Sequence, residues 1–105
     1  MALVSFNGKA TTDLSKTNSY ETFSSKVNGL NYGAGTNWEG ALAAANSINF
    51  NDNDRTFVIF VSDGNPTEFV GGGNGLEEEP NMTNCYNKAV VESKNLAARS
   101  DVTLY

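Results

Sequence analysis

No histidine occurs in the 105 residues of this chain, and Cys85 is its single cysteine. The first absence removes the commonest general base and the commonest zinc ligand. The second excludes an internal disulfide and any thiolate cluster. Cys85 lies near a predicted helix start and reads as a free structural thiol, since a cysteine nucleophile lacks a His partner here. Metal chemistry must then rest on oxygen ligands, which suit hard ions such as Mg²⁺, Mn²⁺ or Ca²⁺. Basic residues are few: seven Lys and Arg stand against twelve Asp and Glu, a net charge of −5. Nucleic-acid binders carry a basic face, so no nucleic-acid partner is expected. No apolar run approaches the roughly 18 residues of a membrane span, so direct membrane insertion is not expected. The opening "MALVSFNGKA" has no basic region followed by a hydrophobic stretch and does not read as a signal peptide.

What is present fits one small globular domain spanning 1–105. Hydrophobic residues make up 39% and charged residues 18%, which separates the chain from disordered compositions. "ALVSF", then "NG", then "KATTDL" is a hairpin signature, with strands at 2–6 and 9–14 and a type I′ turn at Asn7-Gly8. "NSYETFSSKVNGL" reads as a helix capped by Asn18, with Glu21 three residues on and an apolar face of Tyr20, Phe23 and Val27. Gly29 suits the position after its end. In "GAGTNWEGALAAANSI" the pair Thr36 and Glu39 forms another capping box, and Trp38, Ala41, Leu42, Ala45 and Ile48 follow helical spacing.

The polar turn "NFNDND" leads into a strand at 55–62. Its run Phe57-Val58-Ile59-Phe60-Val61 predicts burial on both faces, as in a central parallel strand. A long connection follows at 64–80, with "GGGNG" and "EEEP". Such a connection is functional, mobile or a tolerated surface insertion. A third helix is predicted from about 84 to 99, and "VTLY" begins another strand. This order, hairpin, helix, helix, strand, helix, strand, predicts an α/β layered fold with a mostly parallel sheet. In such sheets ligands bind beyond the carboxyl ends of the strands.

Asp63 lies at that end of the strand 55–62, and Gly64 and Pro66 force a turn after it. A carboxylate there can cap a turn, accept from amides or hold a cation. Thr36 poses the same choice: its hydroxyl can cap its own helix or point at a metal.

These segments together resemble the von Willebrand factor type A family. "ALVSFNGKATTDL" is similar to its second strand and hairpin partner. "GLNYGAGTNWEGALAAA" is similar to its glycine-led threonine before a helix, and "RTFVIFVSDGNPT" to its central strand end. The resemblance implies a Rossmann-like layered fold with an antiparallel edge hairpin. It also implies a metal-ion-dependent adhesion site in which Thr36 and Asp63 are metal ligands. Gly35, Asn37, Gly64 and Asn65 would flank the ligand. The family's first loop, D-x-S-x-S, occurs nowhere in this sequence. The resemblance therefore implies a truncated domain without the first strand and the C-terminal end, and with weak or absent binding of Mg²⁺ or Mn²⁺, Ca²⁺ being a third candidate.

The function implied is a binding module, not an enzyme, of a bacterial surface protein. It would be extracellular or at the cell surface and would bind a protein ligand through that ligand's carboxylate. Two other readings stand beside it. An aspartate at a strand end also serves metal-dependent phosphoryl transfer, although no P-loop and no second acid in a motif accompany it. A structural domain with an unused metal site is the other. In the family's strand order the absent strand would lie between 2–6 and 55–62. Either these strands close on each other, or two chains share strands as a homodimer, which is the expectation favoured here. A glycosylation sequon stands at Asn81-Met82-Thr83.

Overall fold

The computed structural model describes residues 1–50 and 55–105; the turn expected at 49–54 falls largely outside them. The hairpin forms, with β1 (Leu3–Phe6) antiparallel to β2 (Ala10–Leu14). Its register shifts between Leu3 and Val4, and the Asp13 carboxylate accepts the Ser5 N–H at 2.9 Å. The tip is not a type I′ turn, because neither Asn7 nor Gly8 has a positive φ. Tertiary bonds set its shape instead. The Gly8 N–H donates to Ala34 O at 2.9 Å, and Asn7 O accepts the Asn37 N–H at 2.8 Å.

Helix α1 (Tyr20–Asn28) is capped by Ser19, not Asn18: the Ser19 hydroxyl accepts the Thr22 N–H at 3.2 Å. It buries no residue fully and packs against β1 and β2. Helix α2 (Trp38–Asn46) buries Gly40, Ala41 and Leu42. Its small alanines let it approach other elements closely, and it packs on α3 (Asn81–Ala97) as well as on β1 and β2. Helix α3 begins at Asn81, earlier than the spacing of its apolar residues suggests.

β3 (Thr56–Val58) runs parallel to β6 (Val102–Leu104), with Thr56 opposite Val102 and Val58 opposite Leu104. The regular strand is shorter than 55–62, although the pairing continues where Phe60 N–H donates to Tyr105 O at 2.8 Å. The connection after Gly64 contains a small hairpin, β4 (Glu68–Phe69) and β5 (Gly72–Gly73), turned at Gly71 with φ +80°. Among the described residues the strands form three two-stranded ladders, β1-β2, β3-β6 and β4-β5. The protein is thus a small mixed α/β domain; among the described residues it has one short parallel pair, and the strands do not join into a single sheet.

The core sits between α2, α3 and one face of the β3-β6 ladder. Leu42, Ala89 and Leu96 are buried there, with Trp38, Ala45, Val58, Phe60, Val102 and Leu104 packed around them. The expectation that β3 is buried on both faces is corrected. Phe57, Ile59 and Val61 are 60%, 75% and 75% exposed. The physical reason is that both helices cover the same face, and no described element covers the other.

Leu96 and Ile59 should therefore respond oppositely to truncation. Leu96→Ala should lower the unfolding free energy by about 2–5 kcal/mol, the usual result for a buried leucine. Ile59→Thr should change it by no more than ~0.5 kcal/mol, as at exposed positions. Urea denaturation measures both. Equal losses would mean that Ile59 is covered in solution.

Candidate functional site

The segment before α2 is held from both sides. Gly35 has φ +83°, and a β-carbon there would stand 2.9 Å from Gly8 Cα, so only glycine fits. Asn37 is 4% exposed. Its Oδ1 accepts the Gly40 N–H at 2.7 Å, which caps α2, and its Nδ2 donates to Gly8 O at 3.3 Å. The cap expected of Thr36 thus belongs to its neighbour. Asn has the longer side chain and carries both an acceptor and a donor, so it can satisfy the helix and the hairpin tip together.

Thr36 is tied down through its backbone. Its N–H donates to Thr67 Oγ1 at 3.0 Å, and its carbonyl accepts the N–H groups of Thr67 at 2.9 Å and Glu68 at 3.2 Å. Its hydroxyl makes no hydrogen bond among the described residues. It faces the turn after β3: a β-carbon on Gly64 would lie 3.6 Å from Thr36 Oγ1. That turn is hooked to α2 by the Trp38 indole, whose N–H donates to Ser62 Oγ at 3.0 Å. Ser62 in turn donates to Gly64 O at 3.1 Å.

Asp63 is exposed within this turn, and its carboxylate has no hydrogen bond or ion pair among the described residues. The fold thus brings the Thr36 hydroxyl and the Asp63-Gly64 turn to one rim of the domain. It gives Gly35 and Asn37 a structural task, since Gly35 fits against the hairpin tip and the Asn37 amide is spent on the start of α2 and on Gly8 O. Asn65 points elsewhere, with Nδ2 donating to Glu77 Oε2 at 3.5 Å. Among the described residues no three Cys, Asp or Glu side chains converge. A cation beside Asp63 would therefore draw its other ligands from hydroxyls, backbone, water or a partner.

Two residues carry more than their sequence context suggests. Thr67, 5% exposed, joins the strand-end turn to the Thr36 segment. Asn81, 8% exposed, donates through Nδ2 to Thr67 O and Leu76 O, both at 2.9 Å, and accepts the Asn74 N–H at 3.3 Å. Every polar atom of its amide is in use, so the sequon nitrogen is closed in the folded chain. A buried asparagine in a first helical turn looks, in sequence, like any polar helix start.

Cys85 lies one turn further along α3 and is fully buried, with Sγ 3.8 Å from Asn81 Oδ1. Burial, and then the negative charge of Glu68, push its thiol pKa up; Glu39 adds to this, and a backbone hydrogen bond opposes it. The neutral thiol is the form the fold favours. Stability tied to it is complete below the ordinary thiol range near pH 8.5 and is lost as pH rises through the raised value.

No family model, curated protein or solved structure matches this chain.

Two measurements check this local architecture. Asn37→Ala should lower stability by about 1–2 kcal/mol, through a lost cap and a partly buried Gly8 carbonyl left without its donor. Thr36→Ala should stay within ~0.5 kcal/mol, because its hydroxyl caps nothing. A larger loss at Thr36 than at Asn37 in denaturant titrations would reverse the assignment. Separately, Cys85 should react with a disulfide reagent at pH 8 only after urea is added. Rapid labelling of the native protein would show that the α3 start opens readily.

Proposed function

We propose that this chain is a binding module of the von Willebrand factor type A kind, with a Rossmann-like layered fold. Its ligand site is the rim where the Thr36 hydroxyl faces the Asp63-Gly64 turn. The observation that supports this reading is that, among the described residues, neither the Thr36 hydroxyl nor the Asp63 carboxylate has a structural occupation. Thr36 could have been a helix cap, but Asn37 is the cap. Asp63 could have closed its own turn, but the Ser62 hydroxyl accepts the Gly64 N–H at 3.5 Å and the carboxylate stands apart. Two hard-oxygen donors at the end of a parallel strand pair suit a hard divalent cation.

Mg²⁺ or Mn²⁺, with Ca²⁺ as a third candidate, would be held by the Asp63 carboxylate and the Thr36 hydroxyl. Bound there, a cation supplies a positive charge that a partner's carboxylate can complete. The Thr36 segment contributes rigidity, since Thr67 and Glu68 fix its carbonyl and Gly35 fits against the hairpin tip. Trp38 holds the Asp63 turn against α2 through Ser62. The partner class is a protein ligand offering a carboxylate, met outside the cell or at its surface. No catalytic step is assigned.

Two protein oxygens make a weak cage, so the affinity of the chain alone for Mg²⁺ or Mn²⁺ should be no tighter than roughly millimolar. Paramagnetic broadening by Mn²⁺ locates a site of that strength. The amide signals of Thr36, Asp63 and Gly64 should broaden first, and Asp63→Ala should abolish the effect. Broadening centred on Glu77, Glu78 and Glu79 instead would reject the rim as the site.

A further inference from the structure

Glycine follows asparagine three times in this chain, at Asn7-Gly8, Asn28-Gly29 and Asn74-Gly75, and follows aspartate once, at Asp63-Gly64. At each pair the backbone can rewrite itself. The glycine nitrogen, unhindered by a β-carbon, can attack the side-chain carbonyl carbon of the residue before it. Asparagine loses ammonia in that step more readily than aspartate loses water, so sequence alone ranks the aspartate pair last. The fold reverses this order. It engages the reacting groups of the three asparagine pairs and leaves those of the fourth loose.

Gly8 N–H donates to Ala34 O at 2.9 Å, and Asn7 Oδ1 accepts the Lys9 N–H at 3.0 Å. Gly29 N–H closes α1 on Ser25 O at 3.1 Å and Lys26 O at 3.2 Å. Gly75 N–H donates to Thr67 O at 3.1 Å. Asn74 accepts the Leu76 N–H through Oδ1 and donates to Glu78 Oε1 through Nδ2, both at 3.0 Å. Attack needs the peptide plane turned until its nitrogen faces the side chain, so these bonds must first break. Among the described residues, Gly64 N–H meets only Ser62 Oγ, at 3.5 Å, the outer limit of a hydrogen bond. That hydroxyl already accepts the Trp38 indole N–H at 3.0 Å and donates to Gly64 O at 3.1 Å. The Asp63 carboxylate is exposed and has no hydrogen bond or ion pair among the described residues. Anchors stand on either side, Ser62 on Trp38 and Thr67 on Thr36 O. The peptide between them can therefore rotate without releasing the fold.

We propose that Asp63-Gly64 is the self-modification site of this protein, where the backbone rearranges to isoaspartate while the three Asn-Gly pairs are spared. The Gly64 nitrogen attacks Cγ of the protonated Asp63 carboxyl. An N–C bond forms, the hydroxyl leaves with the amide proton as water, and a succinimide ring results. A second water opens the ring. Opening at Cγ restores aspartate, whereas opening at the original main-chain carbonyl carbon leaves the chain running through Cγ. One water is released and one consumed, so mass is unchanged and no other reactant takes part. The main chain is then longer by one carbon, and the free carboxylate sits directly on Cα. The acid of this turn is thereby moved relative to Thr36, and the rim alters with the age of the molecule. The inference does not rest on a cation at Asp63, since the reaction uses only the turn's own atoms and water.

The test holds the native chain at neutral pH and 37 °C for weeks, with EDTA to strip cations, beside a sample unfolded in guanidinium chloride. Peptides are then scored for isoaspartate at Asp63, by electron-transfer fragmentation, and for deamidation of Asn7, Asn28 and Asn74, by mass. In the native chain isoaspartate at Asp63 should outrun deamidation at each asparagine. Unfolding should invert the order: each asparagine should react at least tenfold faster, and Asp63 should gain less than threefold. An asparagine that leads in the native chain, or that gains less than tenfold, refutes the proposal. So does a gain of threefold or more at Asp63, because the fold would then restrain that turn as well. Gly64→Ala puts a β-carbon on the attacking residue, where it would meet nothing nearer than Thr36 Oγ1 at 3.6 Å. It should slow the native reaction at least fivefold with the denaturation midpoint unchanged. A smaller effect in that folded variant would show that the signal does not pass through the succinimide, and would overturn the assignment.

Discussion

The side-chain amide of Asn37 is the joint at which the separate ladders become one domain. Its oxygen closes the first turn of α2, its nitrogen reaches Gly8 O, and its own N–H reaches Asn7 O. One buried residue thus fixes the helix start against the hairpin tip. A buried amide left without partners is expensive, so all these bonds must form together or not at all. Thr36 inherits its position from this arrangement, as does the segment that Thr67 clasps from the other side. The candidate site is consequently rigid where Thr36 sits and more open where Asp63 sits.

A second constraint comes from the aromatic contacts. Phe6, Phe60 and Trp38 link the hairpin, the parallel pair and α2 without any shared backbone ladder. Side-chain stacking does here what strand pairing does in a continuous sheet. Such aromatic pairs add about 0.5–1.5 kcal/mol each beyond area burial, which is modest beside the many bonds of a sheet. The hairpin and the parallel pair are therefore held together chiefly through α2, and the outer face of β3 is left unsealed.

The hairpin, the three helices and the two strands of the parallel pair were legible in the sequence, because period and turn residues are local signals. What could not be read was tertiary. "NG" at positions 7 and 8 suggests a particular turn, but bonds to Ala34 and Asn37 choose another geometry. "TNWE" suggests Thr36 as the cap, whereas the nearby hairpin makes Asn37 the better one. "FVIFV" suggests full burial, yet periodicity cannot report whether a second layer exists. Of the candidate site, Thr36 and the Asp63 turn do come to one rim. Gly35 and Asn37 serve the scaffold instead, a role invisible without Gly8 beside them. The tie from Asn81 to Thr67 and Leu76 spans a connection whose path the sequence does not disclose.

The enclosure of Asn81 has a consequence for how the chain would mature in a cell that glycosylates. An oligosaccharide can be attached only to an exposed, extended acceptor, and here the acceptor nitrogen is spoken for once α3 docks onto the 67–76 segment. Sugar occupancy and native structure are then mutually exclusive at this position. The modified fraction would act as a clock, recording how long each molecule lingered before closing. A carbohydrate trapped there would hold the Thr67 segment away from Thr36, so a defect in maturation would surface at the binding rim, remote from the attachment point in sequence.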